Sequence, residues 1–385
     1  MKVGDFCKTG AGGTPLKSNR RFYEGGTIPW LLSGEVGNRD ITETKKFITQ
    51  EGLDGSSAKM FPVNTVLIAM YGATAGEVGI LRCDASTNQA VCGILPNEKV
   101  LPEYLYYFFL NHKDLLIAQA VGNAQPNISQ LKIKNTEIPL PPIPEQKRIV
   151  ALLDTVFADL EQTRAKTEQN LKNARELFES YLQQVFSQKG EGWESIPLGG
   201  IADLVDSLHT TPKYIDEGGF PMVRVTEIKK SGLSLKKAKR VDQETYEKFS
   251  KRHKSCVGDI ILSRVGASYG IPVIVETDEV FCLGQNTVFI LPKINSYWLY
   301  YFLLSPVAKE QIDSFVAGSA QPTVSMKSIR QLIVPIPSKL EQDRIEPEIK
   351  KVLSQSNQLI DIYRKKLSSI DELKKSILQK AFNGE

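Results

Sequence analysis

Between Lys229 and Lys254 the chain carries ten basic residues: Lys229, Lys230, Lys236, Lys237, Lys239, Arg240, Lys248, Lys251, Arg252 and Lys254. Only Asp242, Glu244 and Glu247 oppose them, so 10 − 3 leaves +7 over 26 residues. Ammonium and guanidinium groups at this density suit phosphate oxygens, the source of most sequence-independent affinity for nucleic acid. A solvated face has the same composition. Phosphate contact is favoured because basic charge is concentrated this way nowhere else. The matching stretch Arg39–Lys59 is neutral, with four basic and four acidic residues. Lys213 joins the candidate set. In the first half, Lys17, Ser18, Asn19, Arg20 and Arg21 form a polar loop with the donors and acceptors that base edges require. A plain surface loop fits that segment equally. Two glycine loops, Tyr71–Gly76 and Val265–Gly270, follow apolar runs and would let backbone approach a phosphate closely. Their flanking candidates are Tyr71, Thr74, Arg264, Ser268 and Tyr269, and a tight turn is the competing reading.

Reaction chemistry is harder to find. There is no G-x-x-x-x-G-K-[ST], no G-x-G-x-x-G after a strand, no H-E-x-x-H and no EF-hand loop. The N-P-P-[YF] tetrapeptide expected of an adenine amino-methyltransferase is also missing. His112, His209 and His253 read as structural or solvated, and no nucleophile–base–orienter set stands out. The five cysteines form no C-x-x-C pair, so reduced thiols and no metal site are expected. The start MKVGDFCKTG lacks an apolar signal region, and no run of 18 apolar residues exists, so a cytoplasmic protein is expected. Net charge, 48 − 44 = +4, neither proves nor excludes a nucleic-acid partner.

These groups must be held by a scaffold that the chain spells out twice. Its 385 residues suit two or three domains. LYYFFL at Leu105–Leu110 returns as LYYFLL at Leu299–Leu304, and GNAQPNIS at Gly122–Ser129 as GSAQPTVS at Gly318–Ser325. SYLQQVF at Ser180–Phe186 returns as SILQKAF at Ser376–Phe382, and YGATAG as VGASYG. The offset stays between 194 and 196, in one order, which marks a duplicated domain-sized unit with two-fold pseudosymmetry expected.

Each copy opens with an α/β globule. In the first, Ile28–Leu32, Val63–Met70 and Val91–Leu95 are predicted strands, and Tyr104–Asn111 and Asp114–Ala120 short helices. In the second, Met222–Val225, Asp259–Ser263, Val273–Val275 and Thr287–Leu291 are predicted strands, and Ser296–Leu304 and Val307–Phe315 helices.

A long helix follows each globule. From Glu145 to about Gln188 there is no Gly or Pro, and steps of four and three pick out a heptad seam. The apolar seam residues are Ile149, Leu153, Val156, Leu160, Leu177 and Tyr181, with Thr163, Thr167 and Asn170 as polar interruptions that can fix register. The second copy offers Ile345, Ile349, Val352, Leu359, Tyr363, Ile370, Leu373 and Ile377, interrupted by Ser356 and Lys366. A helix of ~40 residues is ~60 Å long, too long to cover one globule alone. The two helices are therefore expected to pair, antiparallel, as a rod.

This layout resembles the specificity (S) subunit of type I restriction–modification systems. The resemblance rests on the duplicated globule, P-L-P-P-I-P-E-Q-K-R-I at Pro139–Ile149 and its echo at Pro335–Ile345. V-G-D-F at Val3–Phe6, W…P-L-G-G-I at Trp193–Ile201, G-G-T-P at Gly12–Pro15 and P-W-L-L-S-G-E-V at Pro29–Val36 extend it over essentially the whole chain. The first copy starts without the Trp of the second. The resemblance implies two tandem-duplicated α/β target recognition domains, 1–140 and 191–335. Two long helices, 141–190 and 336–385, would form an antiparallel coiled coil between them. Each domain would read one half of a bipartite, asymmetric site in double-stranded DNA. The helices would set the half-site spacing and dock two methylation subunits. S-adenosylmethionine, ATP and Mg²⁺ would belong to partner subunits, including a restriction subunit if present, and this chain would bind no cofactor and catalyse nothing. The rival reading is a non-catalytic coiled-coil scaffold that binds proteins and no specific DNA.

Overall fold

The computed structural model describes residues 1–118, 127–188, 190, 192–229, 232–316 and 322–383. The chain divides into two compact units: Met1–Thr167 with Lys365–Glu385, and Glu168–Arg364. Among the described residues no helix is long and apolar enough to cross a membrane.

The first unit is built on a five-stranded sheet in the order Thr9–Ala11, Val91–Ile94, Val66–Ala69, Val78–Leu81, Asp40–Ile41. Val66 pairs with Ile94 on one side and Ile80 on the other, both antiparallel. All four residues of Val66–Ala69 are buried, which is why this strand reads as a continuous apolar run. A second sheet runs Phe47–Ile48, Ile28–Leu31, Ala85–Thr87, Met60–Phe61.

The second unit repeats this plan. Its main sheet is Ala202–Asp206, Thr287–Pro292, Ile260–Ser263, Pro272–Ile274, and Ile260 pairs with Ile290. Its smaller sheet, Arg240–Val241, Phe220–Val223, Cys282–Leu283, pairs its middle strand once antiparallel and once parallel, as Ile28–Leu31 is paired in the first copy, but among the described residues lacks an equivalent of Met60–Phe61.

One pair of helices differs between copies. The two short helices expected in the first unit are a single one, Pro102–Ala118. His112 continues it, its ring stacked on Phe108 and its Nδ1 3.1 Å from the Phe108 carbonyl. The second copy has Ser305-Pro306 at that point. Proline lacks the N–H that a continuing helix needs, and Ser305 caps a new start by accepting from the Ala308 N–H. The result is Ser296–Leu304 followed by Pro306–Ser314.

The long helices are Ile143–Ser187 and Lys339–Asn383. In each unit they pack against one another and against the globule's aromatic helix. In the first unit Phe157 meets Tyr107 and Phe382 meets Tyr104, with ring centroids 5.4 and 5.2 Å apart. Lys374 pairs with Glu161 at 2.9 Å, and Arg164 pairs with Asp371. In the second unit Ser356 donates to the Ala174 carbonyl at 2.6 Å and Tyr181 to Glu348 at 3.2 Å. Numbers rise along one helix as they fall along the other, so the pairing is antiparallel. Of the polar interruptions, Ser356 bonds across to the other helix, whereas Thr167 is buried but bonds within its own helix, to Thr163. Asn170 and Lys366 are exposed.

The seam itself needs correction. Ile149, Leu153, Ile349 and Ile370 are buried, and Val156, Leu160, Tyr181, Ile345, Val352, Leu359, Tyr363 and Ile377 are half-buried. Leu177 and Leu373 are 43% and 48% exposed. Each lies four heptads beyond the first seam residue of its helix. A straight helix drifts about 20° per heptad from a 3.5 repeat, so roughly 80° accumulates over that span. Leu171, Phe178 and Leu182 on one helix and Leu378 on the other take the inward positions.

Gln146 and Gln342 explain the repeated E-Q in the helix-start motif. Gln146 is fully buried; it accepts from the Leu101 N–H and donates to the carbonyls of Lys99 and Pro141, all at 2.9 Å. Gln342 donates to the Pro337 carbonyl at 3.0 Å. Replacing Gln146 with Leu strands the part-buried Leu101 N–H. Its expected cost is about 1–3 kcal/mol, read from denaturant unfolding of the full chain. An unchanged midpoint and slope would show that this clasp contributes nothing.

Candidate nucleic-acid interface

Both glycine loops sit at the end of the innermost strand of their sheet. Gly72 and Gly266 have φ of +87° and +72°, and a Cβ at either would meet open space. Each therefore bares backbone to solvent in a conformation that L side chains resist. The segment after the repeated AQP pairs with the loop in both units. Tyr71 bridges Asn127, and Val265 bridges Thr323. Gln125 and Gln321 themselves lie outside the described residues. Burial raises the Tyr71 hydroxyl pKa.

Beside the loop lies a second repeated feature. In the first unit Thr14, followed by proline, donates to Gln89. In the second, Gln285 donates to Thr211, also followed by proline, at 3.5 Å. Each glutamine precedes the strand that pairs with the innermost one. In the second unit these residues line an open cleft of about 300 Å³, with Tyr214, Arg224, Thr226, Val265 and Asn286. Arg224 is fixed by a two-point pair with the buried Glu227, at 2.9 and 3.1 Å. Two amides, three hydroxyls and a held guanidinium lining an open cleft can read donors and acceptors on base edges.

The charged candidates divide by what they already hold. Lys213, Lys229, Lys237, Arg252 and Lys254 are exposed, and among the described residues none pairs with a carboxylate. Lys239 lies over the Tyr214 ring at 4.5 Å, on the rim of the cleft. Lys230 lies outside the described residues. Arg240 is turned to the protein, donating to the carbonyls of Gly218 and Gly219 at 2.5 and 2.8 Å. Arg264 is likewise taken, by Asp206 at 2.6 Å and the Val324 carbonyl at 3.1 Å. Tyr269 donates to Asp313 at 2.7 Å and carries Lys309 over its ring, so it braces the loop; Ser268 beside it is half-buried. In the first unit Lys17, Ser18, Arg20 and Arg21 are exposed, Arg20 only 3.9 Å from Glu24. Asn19 caps the following turn by accepting from the Arg21 N–H. Thr74 is half-buried in its glycine loop.

Comparison with known proteins assigns this architecture. The type I restriction modification DNA specificity domain matches twice, over residues 1–171 and 190–372. The chain belongs to that family. The EcoR124I/EcoR124II specificity subunit of Escherichia coli is 31% identical over 157 residues, covering 40% of this chain and 39% of that one. The MjaVIII specificity subunit of Methanocaldococcus jannaschii is 22% identical, covering 100% of this chain and 92% of that one. Among solved structures, a chain from work on complex assembly and conformational transition of the type I R-M system superposes with a TM-score of 0.79. Its identity is 20%, and the match covers 99% of this chain and 96% of that one. The HsdS subunit from Thermoanaerobacter tengcongensis gives 0.61 at 19%, covering 100% and 96%. These structural likenesses show the fold.

The specificity family is non-catalytic. Each unit presents a glycine loop beside a threonine–glutamine contact, and only the loop is legible in the sequence. The glycine loops stood out as a repeated string. Gln89 and Gln285 did not, because a single amide at an offset of 196 carries little signal beside six-residue matches.

Proposed function

We propose that this chain is the DNA sequence-specificity subunit of a type I restriction–modification complex. Each globule reads one half of a bipartite, asymmetric site. The paired helices set the half-site spacing and dock two methylation subunits. The observation that carries this reading is the same glycine loop and Thr-Pro–glutamine contact present once in each unit of a specificity-family chain. Phosphate contacts from exposed lysines position each globule, and groups such as Gln285 and Asn286 read bases. The adenine chemistry, with its S-adenosylmethionine, and any ATP-driven cleavage with Mg²⁺ belong to partner subunits.

Methylome sequencing of a host with and without the chain tests this. A bipartite methylated motif present only with the chain is expected. With Gln285→Ala, the change in that motif is confined to one half-site, at about 1–3 kcal/mol of discrimination for one base pair. Alteration of both halves together would break the modular reading.

A further inference from the structure

The sequence offers no cysteine pair for a metal, yet the fold gathers three different ligand types on one turn of the second unit. The Cys256 thiol, a His253 ring nitrogen and an Asp259 carboxylate oxygen lie within 4.8 Å of one another. We propose that His253, Cys256 and Asp259 bind a thiophilic divalent cation of the Zn²⁺ class.

The three residues are held together by contacts among themselves and with Phe289. Asp259 is 7% exposed, and its Oδ2 accepts from the Cys256 N–H at 2.8 Å and lies 2.6 Å from His253 Nε2. The His253 ring stands edge-on to Phe289, centroids 5.0 Å apart. Such outer contacts orient metal ligands. Tetrahedral Zn²⁺ holds N and O at about 2.0 Å and S at about 2.3 Å, so its ligand atoms stand roughly 3.3–3.5 Å apart. Reaching that spacing requires rotation of the exposed Cys256 side chain, now bonded only to the Lys254 carbonyl at 3.4 Å. It also requires His253 Nε2 and Asp259 Oδ2 to part from 2.6 Å, and the cation then takes the place of the hydrogen between them, which leaves for the other ring nitrogen or for solvent. The thiol releases its proton to solvent as the S–metal bond forms, and a solvent-facing fourth position remains for water. Thiolate and carboxylate together balance the two charges of the ion, so the occupied site is neutral beside Lys251, Arg252 and Lys254. A hard cation such as Mg²⁺ gains nothing from sulfur and does not compete.

The other thiols are poor rivals. Burial raises the pKa of Cys7 to about 11 and of Cys92 and Cys282 to about 12, and raises that of Cys83.

Titration of the full chain with Co²⁺ in excess Mg²⁺ tests the site. One equivalent should develop a thiolate-to-cobalt charge-transfer band, which Zn²⁺ then displaces. Cys256→Ser should remove the band, His253→Gln should weaken it at least tenfold in Co²⁺ concentration, and Cys83→Ser should leave it intact. Circular dichroism checks that each variant is folded. No band in the parent protein, or a band that survives Cys256→Ser, overturns the proposal.

Discussion

Inserting four residues beside Ala165 lengthens the spacer of the recognised sequence by about two base pairs, or abolishes specific binding. Four helical residues add about 6 Å and leave a rotation of roughly 40°. The insertion falls between two pinned stretches of the central helix. On one side Glu161 and Arg164 hold Lys374 and Asp371. On the other, Ala174 and Tyr181 hold Ser356 and Glu348. The C-terminal helix carries no matching insertion, so both sets of contacts cannot survive unstrained. If the helices set the spacing, the added length appears as spacer, near 3.4 Å per base pair. If the strain is too large, binding fails. Methylome sequencing reads the first outcome and DNA titration the second. A variant that binds with its spacer unaltered would contradict the ruler.

Much of this architecture is legible in the sequence because duplication is a non-local signal that needs no structure to detect. The main sheets are legible too, since Val66–Ala69 and Ile260–Ser263 are buried on both faces and read as apolar runs. Short edge strands such as Asp40–Ile41 and Met60–Phe61 are not, because two residues carry no periodicity. The helix seam is legible for most of its length, yet Leu177 and Leu373 fall on the outside. Composition located the basic run but could not say which cations were already engaged. Arg264 and Arg240 resemble phosphate binders in sequence, yet their partners, Asp206 and the Gly218–Gly219 carbonyls, lie 58 and 21–22 residues away. The His253–Cys256–Asp259 grouping was missed for a related reason. Its i, i+3, i+6 spacing matches no familiar metal motif, and only the turn at Gly258, φ +93°, folds it together.

Neutralising the free cations of the second unit should separate affinity from sequence choice. Lys213, Lys229, Lys237, Arg252 and Lys254, all changed to Gln, remove five candidate phosphate contacts. Each releases about 0.9 counterion, so affinity near physiological salt falls on the order of 10³-fold and the log–log salt slope becomes shallower by about 4–5. The recognised sequence stays the same, because phosphate contacts position a protein without reading bases. Folding should hold, since these side chains are exposed and substitutions at such sites usually cost under ~0.5 kcal/mol each. The neutral stretch Arg39–Lys59 of the first unit predicts an asymmetric result. Changing Lys45, Lys46 and Lys59 to Gln should move the slope by less than their number. Equilibrium titrations across a range of salt, on cognate and scrambled duplexes, measure both quantities. An unchanged slope in the five-residue variant would mean that the basic run is a solvated face after all. A changed target sequence would mean that these side chains reach bases.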